Sequence, residues 1–292
     1  MVKVSIFTPI YNRSTFLPQI HNSLRLQTNK DFEWIVVDDG STDDTKNIMT
    51  NIIKNSNHSF PITYLYKSNG GKHSAINMGI QYAQGELFFI LDSDDSLPID
   101  AIATVINKFE DVANVQNICG VCGLMAHHDG KIIGSGFSAD GIIANSIELR
   151  YAQGVTGDLM EVFKTSILKK YPFPEIKGER FCPEALIWNR IAKKYKMKCF
   201  NNVICYRDYL EGGLTDNIIK IRMNSPNASM MYYSELCEQP IPFSQKLKAA
   251  TNYWRFRLCA KFSKPTASIE PIWFFVLPMS LLMHFVDKRK VR

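Results

Sequence analysis

The sequence lacks several features that would settle its class at a glance. It has no run of about twenty apolar residues, the length a helix needs to cross a bilayer. The uncharged stretch 271–286 stops at sixteen residues and contains Pro278. Seven cysteines follow no metal-ligand spacing: Cys119 and Cys122 make a single C-x-x-C inside the apolar stretch 118–125, with no second pair, and read as buried thiols. Met1-Val2-Lys3 runs straight into an apolar segment, so no secretory leader is expected. The expectation is therefore a reducing, cytoplasmic setting. There are no internal repeats and no low-complexity tract. The net charge of +6 over 292 residues comes with no reader motif for DNA or RNA, so nucleic acid is not an expected partner.

What is present centres on Leu87-Phe88-Phe89-Ile90-Leu91-Asp92-Ser93-Asp94-Asp95-Ser96. An apolar run of this length reads as a buried strand, and it ends abruptly in carboxylates. In extended backbone Asp92 and Asp94 point to the same side, where they repel unless a cation sits between them. A hard divalent ion suits oxygen ligands, and Mg²⁺ in particular keeps waters and takes substrate phosphates as further ligands. An EF-hand loop would need Gly at 97 and Glu at 103, where the chain has Leu97 and Ala103. A solvated turn with a helix cap is the structural alternative.

Apolar runs at 4–10, 33–37, 62–66 and 87–91 alternate with helical patterns at about 14–27, 41–54 and 73–84. Ser14 is the expected cap of the first helix, and Gly85 stops the third. This alternation predicts parallel βαβ units. Ligands of such sheets bind beyond the carboxyl ends of the strands. The polar clusters Tyr11–Arg13, Asp38–Ser41, Asn69–Lys72 and Asp92–Asp94 all fall at such ends. After Pro98 the pattern loosens into a helix near 99–112, strands near 120–126, 158–163 and 198–206, a hairpin turn at His128-Asp129-Gly130-Lys131, and a helix near 183–195.

Taken together, Thr8-Pro9-Ile10-Tyr11-Asn12-Arg13, Val37-Asp38-Asp39-Gly40-Ser41-Thr42-Asp43, Asn69-Gly70-Gly71-Lys72-His73-Ser74-Ala75, Asn77-x-Gly79 and Leu91-Asp92-Ser93-Asp94-Asp95 resemble glycosyltransferase family 2 in order and spacing. The resemblance implies an α/β, GT-A nucleotide-diphospho-sugar transferase fold with a mostly parallel, helix-flanked sheet. It implies that Pro9 and Tyr11 line the base and that Asp39 accepts a hydrogen bond from the uracil or guanine edge. Arg13 and Lys72 would meet the diphosphate or the nucleotide, and Asn69, Asp92 and Ser93 would complete the nucleotide site. Asp92 and Asp94 would bind Mn²⁺ or Mg²⁺. The implied reaction is inverting, so a base must deprotonate the acceptor hydroxyl. The matching place is Arg180-Phe181-Cys182-Pro183-Glu184, with Glu184 as the base in the positive first turn of a helix. The departure from the family is Glu in place of the usual Asp. Glu179 is the reserve, and Asp158 of Gly157-Asp158 would orient the acceptor or the base. No Gln-x-x-Arg-Trp follows Glu184, which points to single-sugar addition rather than processive synthesis.

The expected domains are 1–215, catalytic, with a nucleotide half (1–97) and an acceptor half (98–215), and 216–292, a helical extension. Lys246, Lys248, Arg255, Arg257, Lys261 and Lys264 lie in 244–264 without an acid, beside Leu247, Ala250, Trp254 and Leu258 at helical spacing. A basic amphipathic helix followed by the apolar 271–286 and a basic end suggests a membrane-surface or re-entrant anchor at the inner face of the plasma membrane. A hairpin packed on the protein is the alternative. The partners so implied are a nucleotide-diphosphate sugar, a UDP-sugar by preference, and a glycan or lipid-linked glycan acceptor of surface polysaccharide synthesis. A sugar-phosphate nucleotidyltransferase is disfavoured because Tyr11-Asn12-Arg13-Ser14 has no glycine. A catalytically inactive nucleotide-sugar-binding scaffold is disfavoured by intact Asp92, Asp94 and Glu184.

Overall fold

The apolar runs of the first ninety residues become four parallel strands in the computed structural model, β1 (Val4–Ile10), β2 (Phe32–Asp38), β3 (Ile62–Tyr66) and β4 (Leu87–Ile90). The structure describes residues 2–55, 59–208, 217–260 and 267–291. Three helices make the crossovers: α1 (Leu17–Arg25), α2 (Thr45–Asn55) and α3 (Lys72–Tyr82). Local sequence shapes α1, and packing shapes α3. In α1, Pro18 sits in the first turn, where a missing N–H costs nothing, and Leu17, Ile20 and Leu24 form the buried stripe. In α3, Gly79 lets the helix lie flat on β1, since a Cβ there would meet the Phe7 ring at 2.3 Å.

Then follow α4 (Ala101–Glu110), β5 (Ile118–Ala126), β6 (Ile142–Ala144), β7 (Leu159–Lys164), the single turn α5 (Thr165–Leu168), α6 (Glu184–Ala192) and β8 (Lys196–Tyr206). The strand order is β3-β2-β1-β4-β7-β5-β8-β6. The first four strands are parallel; β7 enters antiparallel between β4 and β5, β8 runs parallel to β5, and β6 closes the edge antiparallel. Strand order reverses between β1 and β4, and a ligand crevice opens at such a switch point. β1, β2, β4 and β5 are buried almost throughout, as strands covered on both faces must be. Cys119 and Cys122 lie in β5 as free, buried thiols, and burial pushes the Cys119 thiol up to about 12.

The chain forms two compact units, Met1–Pro172 with Ile191–Asp208, and Phe173–Arg190 with Tyr209–Arg292. The expected domain boundary at 215/216 falls outside the described residues, as do Lys261 and Lys264. The second unit is helical, with α7 (Ile218–Asn224), α8 (Pro226–Glu238), α9 (Phe243–Arg257), a 3-10 turn (Pro271–Val276) and α10 (Leu277–Val291). Arg190 grips Glu235 of α8 through Nε at 2.9 Å and Nη2 at 2.6 Å. Among the described residues no helix is long and apolar enough to cross a membrane.

Candidate active site

The loops beyond β1 to β4 are tied to one another by hydrogen bonds, so the carboxyl edge of the sheet is one braced rim. Asn12 takes a left-handed φ of 51°, which asparagine tolerates better than most residues. Its N–H donates to Ser41 Oγ at 3.0 Å, and its Oδ1 accepts from Thr42 N at 2.7 Å. Ser14 does not cap the first helix as expected. Its N–H instead donates to Asp43 Oδ2 at 3.0 Å, because the chain first makes a 3-10 turn, Ser14–Phe16, before α1 begins. Burial would raise the Asp43 carboxyl, but hydrogen bonds from Thr45 and Ser14 hold it below the usual range.

Asp39, 3% exposed, braces the third loop. Its Oδ1 accepts from Lys67 Nζ at 2.8 Å and Gly70 N at 2.9 Å, and its Oδ2 accepts from Gly71 N at 2.7 Å. Gly71 has φ 94°, a conformation that a side chain would strain. Oδ2 carries one of these bonds and keeps a lone pair for a further donor. Pro9 and Asn69 are half-buried on this rim and Tyr11 is 48% exposed. Arg13 is half-buried with its guanidinium 5.6 Å over the Phe16 ring.

At the switch point the extended geometry expected for Asp92 and Asp94 is absent. β4 ends at Ile90, and residues 92–95 form a turn closed by Asp95 N donating to the Asp92 carbonyl at 3.1 Å. The cations that relieve the carboxylate repulsion belong to the protein itself. Lys72 Nζ lies 2.6 Å from Asp92 Oδ1, and Arg207 Nη2 donates to Asp92 Oδ2 at 2.8 Å. Arg207 also grips Asp95 through Nε at 2.9 Å and Nη2 at 2.7 Å, and reaches Asp158 Oδ2 through Nη1 at 3.3 Å. Burial alone would raise the Asp92 carboxyl, but Lys72 and Arg207 hold it below the usual range. Burial pushes Asp95 up to about 6; Arg207 opposes the rise, and Asp92 and Asp94 add to it.

Ser93 and Asp94 are half-buried in the same turn, and Asp94 has no ion-pair partner among the described residues. No group of three His, Cys, Asp or Glu among the described residues is arranged to hold a metal. Mg²⁺ needs fewer, since it is commonly bound by one or two carboxylates with substrate phosphates and water. Asp94, with Asp92 beside it, is a hard oxygen donor set that fits such an ion. Both Asp92 oxygens are held by cations, so it would have to exchange a partner to join.

Arg207 is the member of this cluster that sequence reading missed. Its signal is its place, directly after the apolar β8, but only the sheet topology shows that β8 points the same way as β1 to β4. Asp208 next to it lies 3.1 Å from His127 Nδ1 and 2.7 Å from His128 Nδ1, and His128 Nε2 lies 3.0 Å from Ser96 Oγ. These contacts tie the expected hairpin turn, closed by Gly130 N donating to the His127 carbonyl at 2.9 Å, to the loop after β4. We expect Arg207→Met to destabilise the protein by about 3–5 kcal/mol in urea denaturation, the cost of leaving a buried carboxylate unpaired. Adding Asp95→Leu should recover most of the loss. A single variant within about 1 kcal/mol of wild type would show that the cluster is held by something else.

Glu184 is the first residue of α6 and belongs to the second unit, whereas Asp158 belongs to the first. Glu179 is committed elsewhere. Its Oε1 accepts from Asn227 N at 2.8 Å and its Oε2 from Ala228 N at 2.9 Å, which caps the start of α8.

Comparison with known proteins places residues 5–139 in the family described as glycosyl transferase family 2. Over 221 residues the chain is 29% identical to GalNAc(5)-diNAcBac-PP-undecaprenol beta-1,3-glucosyltransferase of Campylobacter jejuni, covering 74% of this chain and 68% of that protein. Its fold is similar to Staphylococcus aureus TarS 1-349 in complex with UDP-GlcNAc (TM-score 0.61, 17% identity, 98% of this chain, 81% of that one). It is also similar to the mannosyltransferase PcManGT of Pyrobaculum calidifontis in complex with GDP-Man and Mn²⁺ (TM-score 0.57, 17% identity, 99% and 83%). The chain spans far less of some longer relatives, 17% of a Rickettsia felis glycosyltransferase and 44% of a longer TarS chain.

Proposed function

Because residues 5–139 make this chain a member of glycosyl transferase family 2, we propose that it moves a sugar from a nucleotide diphosphate to a hydroxyl of a glycan, with inversion at the anomeric carbon. The observation that carries the proposal is the braced rim, with Asp92 and Asp94 at the switch point between β1 and β4. Pro9 and Tyr11 flank the base, and Asp39 takes its edge through the lone pair left on Oδ2. Asn69, Ser93 and Arg13 complete the nucleotide site. Lys72, held on Asp92 in the free protein, is the cation a diphosphate would draw away.

Asp94, with Asp92, would hold Mn²⁺ or Mg²⁺, which as a Lewis acid would offset the charge on the departing diphosphate. Glu184 takes the proton of the acceptor hydroxyl, and Asp158 orients the acceptor. A UDP-sugar is the donor we assign, in keeping with the UDP-GlcNAc complex of TarS. A lipid-linked glycan, of the kind named for the Campylobacter jejuni relative, is the acceptor class. Transfer then takes place at the inner face of the plasma membrane, in the synthesis of a surface polysaccharide. The test is a panel of nucleotide sugars with Mn²⁺, read by donor hydrolysis and by transfer to a lipid-linked acceptor. Turnover of one sugar nucleotide is expected, and silence across the panel would refute the assignment.

A further inference from the structure

The end of the second unit has two unlike faces. The 3-10 turn Pro271–Val276 and α10 turn Trp273, Val276, Ser280, His284 and Asp287 inward at helical spacing, all buried. Arg255 of α9 clamps the Asp287 carboxylate through Nη2 at 2.7 Å and Nε at 2.5 Å. Ser280 Oγ donates to the Thr251 carbonyl at 2.9 Å, and the Trp254 indole donates to the Trp273 carbonyl at 3.2 Å. The segment is thus docked as a hairpin on α9. Its outward face is apolar: Ile272 is 70% exposed, Phe274 57%, Phe275 59%, Met279 57%, Leu282 62% and Phe285 60%. Large side chains exposed in one continuous stripe mark an interaction surface rather than scattered surface apolarity. Lys288, Arg289 and Lys290 stand exposed at its end. The one acid among residues 271–291, Asp287, is buried on Arg255, so every exposed charge along this segment is positive.

We propose that this ridge lies in the plane of a bilayer carrying anionic lipid, with the apolar stripe in the acyl boundary and Lys288, Arg289 and Lys290 against the headgroups. A helix of fifteen residues is about 22 Å long, short of the ~30 Å of hydrocarbon, and its inner face is already taken by α9. The length excludes a span, and the docking of the inner face on α9 favours an interfacial segment over a re-entrant one. The basic end selects anionic lipid as the occupant over a neutral apolar partner. The inference deepens the proposed function and rests on it for its purpose, delivery of the site to lipid-linked acceptors. The binding itself is measured apart from the chemistry.

The experiment is co-sedimentation of the full chain with phosphatidylcholine vesicles with and without phosphatidylglycerol. The protein should sediment with the anionic vesicles. Leu282→Glu with Phe285→Glu should lower partitioning roughly a hundredfold or more. Lys288→Gln, Arg289→Gln and Lys290→Gln together should lower it about a hundredfold. Neither set alters inward-facing residues, so melting temperature and donor hydrolysis should be unchanged. Failure of wild-type protein to bind any vesicle would overturn the inference. So would a lipid-free oligomer that the Leu282/Phe285 pair converts to monomer, because a second copy would then cover the ridge. Vesicle binding without sugar transfer would leave this inference standing and refute the proposed function instead.

Discussion

Glu184→Gln is expected to cut kcat by about 10²–10⁴-fold, the usual contribution of a general base. Donor affinity should hardly change, because in the proposed mechanism the base meets the acceptor hydroxyl rather than the diphosphate. Glu184 is the first residue of α6. Gln keeps the size of the side chain and its acceptor oxygen, so the helix start should survive. The neighbouring acid provides the contrast. Glu179 spends both oxygens on the first N–H groups of α8, so Glu179→Gln should lower the melting temperature and leave kcat near wild type. A Glu184→Gln enzyme within a few-fold of wild type, or a Glu179→Gln enzyme that folds normally but does not turn over, would exchange the two assignments.

Asp94→Asn is expected to abolish metal-dependent turnover and to remove the gain in nucleotide diphosphate affinity that Mn²⁺ or Mg²⁺ confers. Loss of one group that offsets transition-state charge costs about 10²–10³-fold, and in the proposed mechanism the same group would also anchor the donor. The structure sharpens the expectation for Asp94 over Asp92. Asp92 already has Lys72 on one oxygen and Arg207 on the other, whereas Asp94 has no ion-pair partner among the described residues. Calorimetric titration of UDP with and without the metal separates this variant from Glu184→Gln, which should keep the metal effect intact. Undiminished turnover in Asp94→Asn would remove the cation from the mechanism.

Much of the first unit was legible because its rules are local. The apolar runs 4–10 and 87–91 are strands within a residue of where the pattern puts them, since buried parallel strands need continuous apolar sequence. The four polar clusters were legible for the same reason, as each is the point where such a run stops. Local rules failed where a residue's partner is distant in sequence. Ser14 reads as a cap, yet its N–H goes to Asp43, 29 positions away. Glu179 reads as a possible base, yet it caps a helix that starts 47 residues later. The aspartates after β4 read as two like charges in need of a metal, yet the cation that bridges Asp92 and Asp95 is Arg207, 115 positions beyond Asp92.

The sequence alone determined the order of strands and helices through residue 97, the acidic and glycine-bearing loops at the strand ends, and the apolar and basic character of the C-terminal segment. Each follows from side-chain polarity and backbone preference acting over a few neighbours. Only the tertiary structure decided that β7 enters antiparallel beside β4 and that β8 then points with β1 to β4. That topology delivers Arg207 to Asp92, Asp95 and Asp158, and no pattern in the sequence encodes it. The C-terminal segment divides in the same way. Its composition makes it apolar with a basic end, but which side of α10 is spent on packing depends on Arg255 meeting Asp287 across 32 residues. Sheet order and helix docking are set by long-range burial and charge pairing, which fix the partner of each side chain only once the chain has folded.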